Sequence, residues 1–224
     1  VRKYVTTGRL LKKGVEIINE EVLKINSDER LIETSGSKVN FDYLVVALGA
    51  DLAPENIPGL QNSYETYFTF DGASKLNIAL QKFKSGKIAV VVASLPYKCP
   101  AAPYEGAMLI SDFFQRKGIE RGEGGVEIDL FTPEPAPMPV AGTVLGESVK
   151  QVLVSREINF YPLHKLISVS ADRKELQFEG KSAMSYDLLV VIPPHKSPEV
   201  IQNSGLAGPN GWIPVDRSTL QTNL

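Results

Sequence analysis

Residues 87–105 read KIAVVVASLPYKCPAAPYE, and the fold turns on how that stretch divides. Lys87–Ala93 is apolar without alternation, as expected of a strand buried on both faces of a parallel sheet. A helix from about Pro103 to Lys117 follows, stopped by Gly118. In a dinucleotide-binding domain the turn between such a strand and helix carries G-x-G-x-x-G. Only glycine lets the backbone approach a pyrophosphate at the helix N-terminus. Here no glycine precedes Gly106, and the turn holds Pro96, Pro100, Pro103 and Cys99. A loop so stiff and bulky cannot wrap a pyrophosphate. The reading is a nucleotide-type topology that has lost its dinucleotide site and carries a thiol instead.

Working outward, Val126–Thr132 is a further strand, so strand, helix and strand form a βαβ unit with a right-handed crossover. Upstream, Asp71 is the predicted N-cap of a helix to about Lys84, with Ala73, Leu76, Leu80 and Phe83 on one face. Downstream, a helix is predicted over Leu145–Arg156 and short strands over 158–162, 165–169 and 176–178. The run YDLLVVIPPH at 186–195 repeats the design of FDYLVVALGA at 41–50. Each reads as a buried strand closing an α/β unit, so two related nucleotide-type folds are expected, one nested in the other. The runs 14–18, 22–25 and 31–34 read as short strands, and Pro54, Pro58 and Gly59 mark a boundary. The expected segments are 1–60, 61–195 and 196–224.

Composition excludes several classes. With 24 Lys and Arg against 26 Asp and Glu, the net charge is −2, so there is no basic excess for nucleic acid. No stretch approaches the roughly 20 apolar residues of a membrane span. The start, VRKYVTTGRLLKKG, is polar, unlike a signal peptide, and begins at Val1, as an internal piece of a longer protein would. The two histidines, His164 and His195, cannot fill a metal site, and no metal is expected. His195 follows Pro193-Pro194 at a strand end, where a ligand-facing role and an ordinary turn histidine both remain open. Trp212 reads as packing, and Tyr97 and Tyr104 as packing at the helix start or as walls of a pocket.

One cysteine rules out an internal disulfide. A lone cysteine is ordinarily a small buried hydrophobe, but Cys99 stands beside Lys98 and just ahead of a helix start. Ammonium and helix dipole both favour the thiolate, the form that attacks sulfur or a flavin. Glu105, in the first helical turn, either moves a proton there or is simply the acidic residue a helix N-terminus favours.

PYKCPAAPYE at 96–105 resembles the P-Y-x-C-P-P-A-P-Y-E signature of sulfide:quinone reductases and of the flavoprotein subunit of flavocytochrome sulfide dehydrogenases, with Ala101 replacing its second proline. TPEPAPMPVAG (132–142), LLVVIPPH (188–195) and GWIPVDRSTLQTN (211–223) resemble further segments in matching order. The resemblance implies an α/β fold: a Rossmann-like, NAD-binding-like nested domain carrying the cysteine, with a short β-rich remnant of an FAD-binding domain at 1–60 and a return segment at 196–224. It implies FAD in the parent protein, touched by Val22 through its backbone and by the turn Ala47-Leu48-Gly49, positions that plain strand packing also explains. It implies Cys99 and Glu105 as catalytic residues, a partner cysteine later in the longer chain, sulfide or another small thiol as reductant, and a quinone or haem acceptor. The FAD-anchoring glycine turn and C-terminal segments that meet a membrane surface are expected outside these residues. The parent would then be peripheral to a membrane and the piece itself soluble; a homo-oligomer is compatible. The alternatives are a type II NADH dehydrogenase-like flavoprotein, against which the missing glycines count, and an inert scaffold in which Cys99 is structural.

Overall fold

The apolar, non-alternating runs 86–92, 126–131 and 188–192 lie side by side as parallel strands, whereas the shorter, turn-punctuated runs form antiparallel meanders. A computed structural model of the protein describes residues 12–122 and 124–222. One compact unit is continuous, Ala50–Lys196; the other comes from the flanking segments Val1–Gly49 and Ser197–Leu224, as far as these are described.

In the flanking unit, β1 (Val22–Asn26), β2 (Leu31–Thr34) and β3 (Lys38–Asn40) form an antiparallel meander. Asn26 organises the first turn, its Oδ1 accepting from Glu29 N at 3.1 Å. Ile25 is buried with Ile201 and Leu206, and Val22, Leu44 and Val46 pack around them. Tyr43 and Val45, by contrast, are 95% and 88% exposed. The run Tyr43–Ala50 is therefore not the doubly buried strand that its composition predicts. A strand needs a neighbour to take up its N–H and C=O groups, and among the described residues no strand pairs with 43–50. The run 14–18 forms no strand either, for the same reason.

In the continuous unit, β4 (Asp51–Leu52) precedes helix α1 (Phe70–Lys82). The cap of α1 is Thr69, whose hydroxyl accepts from Gly72 N at 3.0 Å. Asp71, predicted as cap, falls in the first turn because Thr69 already has the extended backbone that a cap needs. Then come β5 (Gly86–Val92), α2 (Ala102–Arg116), β6 (Val126–Phe131), α3 (Thr143–Ser155) and β7 (Ile158–Tyr161). A second meander, β8 (Leu166–Ser170), β9 (Glu175–Phe178) and β10 (Met184–Ser185), leads into β11 (Leu188–Ile192). Finally β12 (His195–Lys196) pairs antiparallel with β4 and ties the ends of the unit together.

The parallel sheet has the order β11-β5-β6-β7. The chain moves outward from β5 through β6 to β7, then returns to the other side of β5. That is the half-order of a dinucleotide-binding fold, as the α/β reading expects, with its switch point between β5 and β11. Side chains alternate across the sheet. Ile88, Val90, Ile128, Leu130 and Val190 face Leu80, Tyr104, Ala107, Ile110 and Phe114 of the helices. Ala89, Val91, Phe131, Leu189 and Val191 face Leu60 and the meander residues Leu166, Leu176 and Phe178. Phe131 stacks on Tyr161 and on Phe178, with ring centroids 4.7 and 4.9 Å apart.

One carboxylate interrupts this sheet. Asp129 on β6 is 3% exposed, and its Oδ1 accepts from Asn159 Nδ2, on the neighbouring β7, at 2.8 Å. Burial raises its pKa above the ordinary carboxylate value, against the pull of Asn159 and Lys87. The folded state therefore holds its proton longer than the unfolded chain, and stability falls as pH rises from the ordinary value through the raised one. Asp129→Asn keeps the acceptor for Asn159 and removes the ionisation. Thermal melts between pH 4 and 8 should show a shallower decline than wild type and a higher Tm at pH 7; an identical pH profile would refute this role for burial.

Candidate functional site

Strand β5 ends in Val92, and Ala93 N still donates to Ile192 O at 3.1 Å, so the loop 94–101 leaves from a rigid base at the switch point. Crevices at the carboxyl ends of such strands are where open α/β sheets bind ligands. The loop is held at several points. Tyr97 OH donates to Glu134 Oε2 at 2.9 Å, Lys98 Nζ to Ala50 O at 3.3 Å, and Ala102 N to Cys99 O at 2.9 Å. Tyr67 OH donates to Ala102 O at 3.0 Å, where the loop becomes α2. Pro103 suits the first turn of α2, since the N–H it lacks would have no intrahelical partner there.

Cys99 is exposed, with φ 59°. A non-glycine residue in this left-handed region costs about 1–2 kcal/mol and persists where the surroundings over-determine it. The chain thus presents a thiol, on a braced and strained backbone, at the place where relatives of this topology present amide groups to phosphate.

Glu105 lies exposed in the first turn of α2, on the rim of an apolar groove of about 280 Å³ that also takes in Tyr67, Gly106 and Leu109. Tyr67, on the same groove, donates to Ala102 O at the end of the thiol's loop. Its phenol is pushed above the ordinary range, first by burial, then by the charges of Cys99 and Glu105. Both therefore lie within electrostatic reach of one hydroxyl. The first glycine after the motif is already committed: a Cβ at Gly106 would come within 2.5 Å of the Tyr67 ring.

The second loop at the switch point carries His195, 9% exposed. Its ring sits edge-on to Phe68, and Nδ1 lies 2.8 Å from Pro193 O, which can only accept. The proton therefore belongs on Nδ1 and the lone pair on Nε2, which has no hydrogen-bond partner among the described residues. Burial lowers the pKa of His195, against the pull of the Pro193 carbonyl and with a smaller push from the Lys98 charge, and so favours the neutral ring. His164 is an aromatic-cluster residue beside Phe131, Tyr161 and Phe178. Among the described residues no group of side chains could hold a metal ion.

In the flanking unit, Ala47, Leu48 and Gly49 line a pocket of about 190 Å³ with Ser197, Ile201 and Trp212. Gly49 has φ 76° and open space where a Cβ would stand. Val22 is not in that pocket; it packs at the Ile25 cluster. Two site residues escaped the sequence reading. Tyr67 lies 32 positions before Cys99 in an unremarkable segment. Glu134 is 6% exposed in the Pro-rich loop after β6 and accepts from Tyr104 OH at 3.1 Å as well as from Tyr97. The sequence signal for Glu134 is an acidic residue amid prolines in the segment 132–142.

Comparison with known proteins agrees with this topology. The family model "Pyridine nucleotide-disulphide oxidoreductase" matches residues 5–224. A mitochondrial sulfide:quinone oxidoreductase of Mus musculus is 30% identical over 96% of this chain and 50% of its own length. The crystal structure of the sulfide:quinone oxidoreductase from Aquifex aeolicus superposes with a TM-score of 0.76 at 23% identity, covering 93% of this chain and 50% of that one. The alternative NAD(P)H-ubiquinone oxidoreductase C1 of Arabidopsis thaliana is 33% identical over 46% of this chain and 20% of its own. The chain spans about half the length of the curated sulfide:quinone relatives it matches.

Because Tyr67 is fastened through its hydroxyl to Ala102 O, its ring cannot yield easily to a methyl group on α2. Gly106→Ala should destabilise the protein by about 1–3 kcal/mol, the usual cost of overpacking, read from urea denaturation. A neutral substitution would mean that the ring is free to move.

Proposed function

From the chain's membership of the pyridine nucleotide-disulphide oxidoreductase family we propose that it is the thiol-bearing part of an FAD-dependent enzyme that oxidises sulfide and passes the electrons to a quinone. The observation that carries the reading is Cys99: an exposed thiol, on a glycine-free loop, at the switch point of a dinucleotide-type sheet. We assign 61–195 to a nested nicotinamide-type domain and 1–60 with 196–224 to the FAD-binding domain.

The described residues fit FAD in part. The turn 47–49 offers exposed backbone and the open space beside Gly49, room for an edge of a dinucleotide and not for the whole. When bound, FAD supplies a two-electron acceptor. The chain's own contribution is to present the Cys99 sulfur, which, paired as a disulfide with a cysteine of the longer protein, a sulfide anion would open, one S–S bond forming as the other breaks and the second cysteine leaving as thiolate. Glu105, on the same groove as Tyr67, is the group that takes or returns a proton as sulfide changes ionisation. His195, neutral and with a free lone pair, is a second polar group at the same switch point. A quinone acceptor dissolves in lipid, which places the parent at a membrane surface. Among the described residues no helix is long and apolar enough to cross a membrane.

A nicotinamide-using relative such as the Arabidopsis protein is the competing model. Against it stand the glycine-free loop and Gly106, whose one open face is filled by Tyr67. An inert scaffold would leave the thiol without consequence.

In the full-length protein, Cys99→Ser should bring sulfide-driven bleaching of the flavin down to background while leaving the flavin spectrum of the resting protein in place. Undiminished bleaching would end the sulfide reading; tight NADH binding by the wild type would favour the nicotinamide one.

A further inference from the structure

Cys99 does not rest in its left-handed conformation unaided. The loop around it has no glycine to absorb strain, and among the described residues the backbone of Cys99 is anchored by the bond from Ala102 N to its carbonyl. The tyrosines two residues before and five residues after it, Tyr97 and Tyr104, both turn their hydroxyls to one oxygen, Oε2 of Glu134, at 2.9 and 3.1 Å. Glu134 comes from the neighbouring strand's loop, so this contact ties the loop after β5 to the loop after β6.

The carboxylate is itself fixed. Glu134 N donates to Thr132 Oγ1 at 3.2 Å, Thr132 Oγ1 lies 3.4 Å from Oε2, and Glu134 O accepts from Leu163 N at 3.0 Å. Tyr104 OH also accepts from Met138 N at 3.4 Å, which adds the far end of the Pro-rich loop to the network. Both phenols are pushed well above their ordinary range, first by burial and then by Glu134, so they remain donors wherever the protein is folded. Hydrogen bonds from phenols to a buried carboxylate are charge-assisted and roughly twice as strong as neutral ones. A buried carboxylate that accepts from two side chains flanking a nucleophile has a geometry suited to placement, not to reaction, because it does not touch the thiol.

We propose that Glu134 is the positioning residue of the thiol loop, holding Cys99 in place by clamping Tyr97 and Tyr104 on either side of it. The proposal rests on the reading of Cys99 as the reactive thiol.

The test uses full-length protein with Tyr97→Phe, Glu134→Gln, the double variant and Cys99→Ser. Tyr97→Phe keeps the ring and removes one donor; Glu134→Gln keeps an acceptor and removes the charge. The first readout is amide hydrogen exchange, which reports local opening. Exchange of the Ala102 amide, which donates to Cys99 O, should quicken about tenfold or more in Tyr97→Phe, with the β5 amides unchanged. The second is sulfide-driven flavin reduction: kcat should fall about tenfold with KM for sulfide within twofold, and the double variant should be no worse than the poorer single, since both act through one carboxylate. Should Glu134→Gln fail to fold, Tyr97→Phe decides. Unchanged exchange and kcat in Tyr97→Phe, with Cys99→Ser inactive, would overturn the clamp alone. Full activity of Cys99→Ser would instead overturn the thiol reading and the clamp with it.

Discussion

Strand β5 is buried on both faces, and the arrangement of the continuous unit follows from that constraint. Its even-numbered side chains, Ile88 and Val90, are enclosed by the helices, and its odd-numbered ones, Ala89 and Val91, by the meander. A strand with no solvent face must sit centrally, with a hydrogen-bonded neighbour on each side, and here these are β11 and β6. Because the chain departs from β5 in one direction and returns on the other, the loop leaving its carboxyl end necessarily opens onto the switch point. Whatever residues that loop carries are presented there.

What the loop carries determines the chemistry available. A phosphate cradle works through backbone N–H groups and needs glycines that let the backbone come close. A thiol works through a side chain and needs a backbone that stays put. The change from one to the other accounts for prolines in place of glycines and for two tyrosines anchored on Glu134. It also accounts for the use of the first glycine after the motif, Gly106, as a seat for the Tyr67 ring. Cys99 tolerates φ 59° in this setting because the restraints lie outside it, in the sheet and in the loop after β6.

The flanking unit shows the opposite situation. Leu44 and Val46 have found a hydrophobic cluster, while Tyr43 and Val45 face outward with no ladder partner among the described residues. The residues are those of a central strand, yet half of what makes a central strand, a neighbour on each side, is not supplied by the described residues of these segments. The same composition in β11 forms a buried strand because β5 lies beside it. The two runs are alike in sequence and differ in their surroundings.

Local signals were sufficient for much of this protein. Apolar runs without alternation marked β5, β6 and β11; helical spacing of Leu76 and Leu80 marked α1; and the absence of glycine at 94–105 marked the junction where phosphate chemistry had been given up. These are properties of neighbouring residues, so they can be read along the chain. The sequence by itself thus determined the α/β class and singled out Cys99. Only the tertiary structure decided that Thr69 and not Asp71 caps α1, that 43–50 finds no ladder partner among the described residues, and that Tyr67 and Glu134 belong to the surroundings of the thiol's loop. The reason is physical. A cap, a strand and a hydrogen-bonded clamp each require a partner at a particular place in space, and the contacts around Cys99's loop join residues 30 to 37 positions apart along the chain, brought near by the sheet.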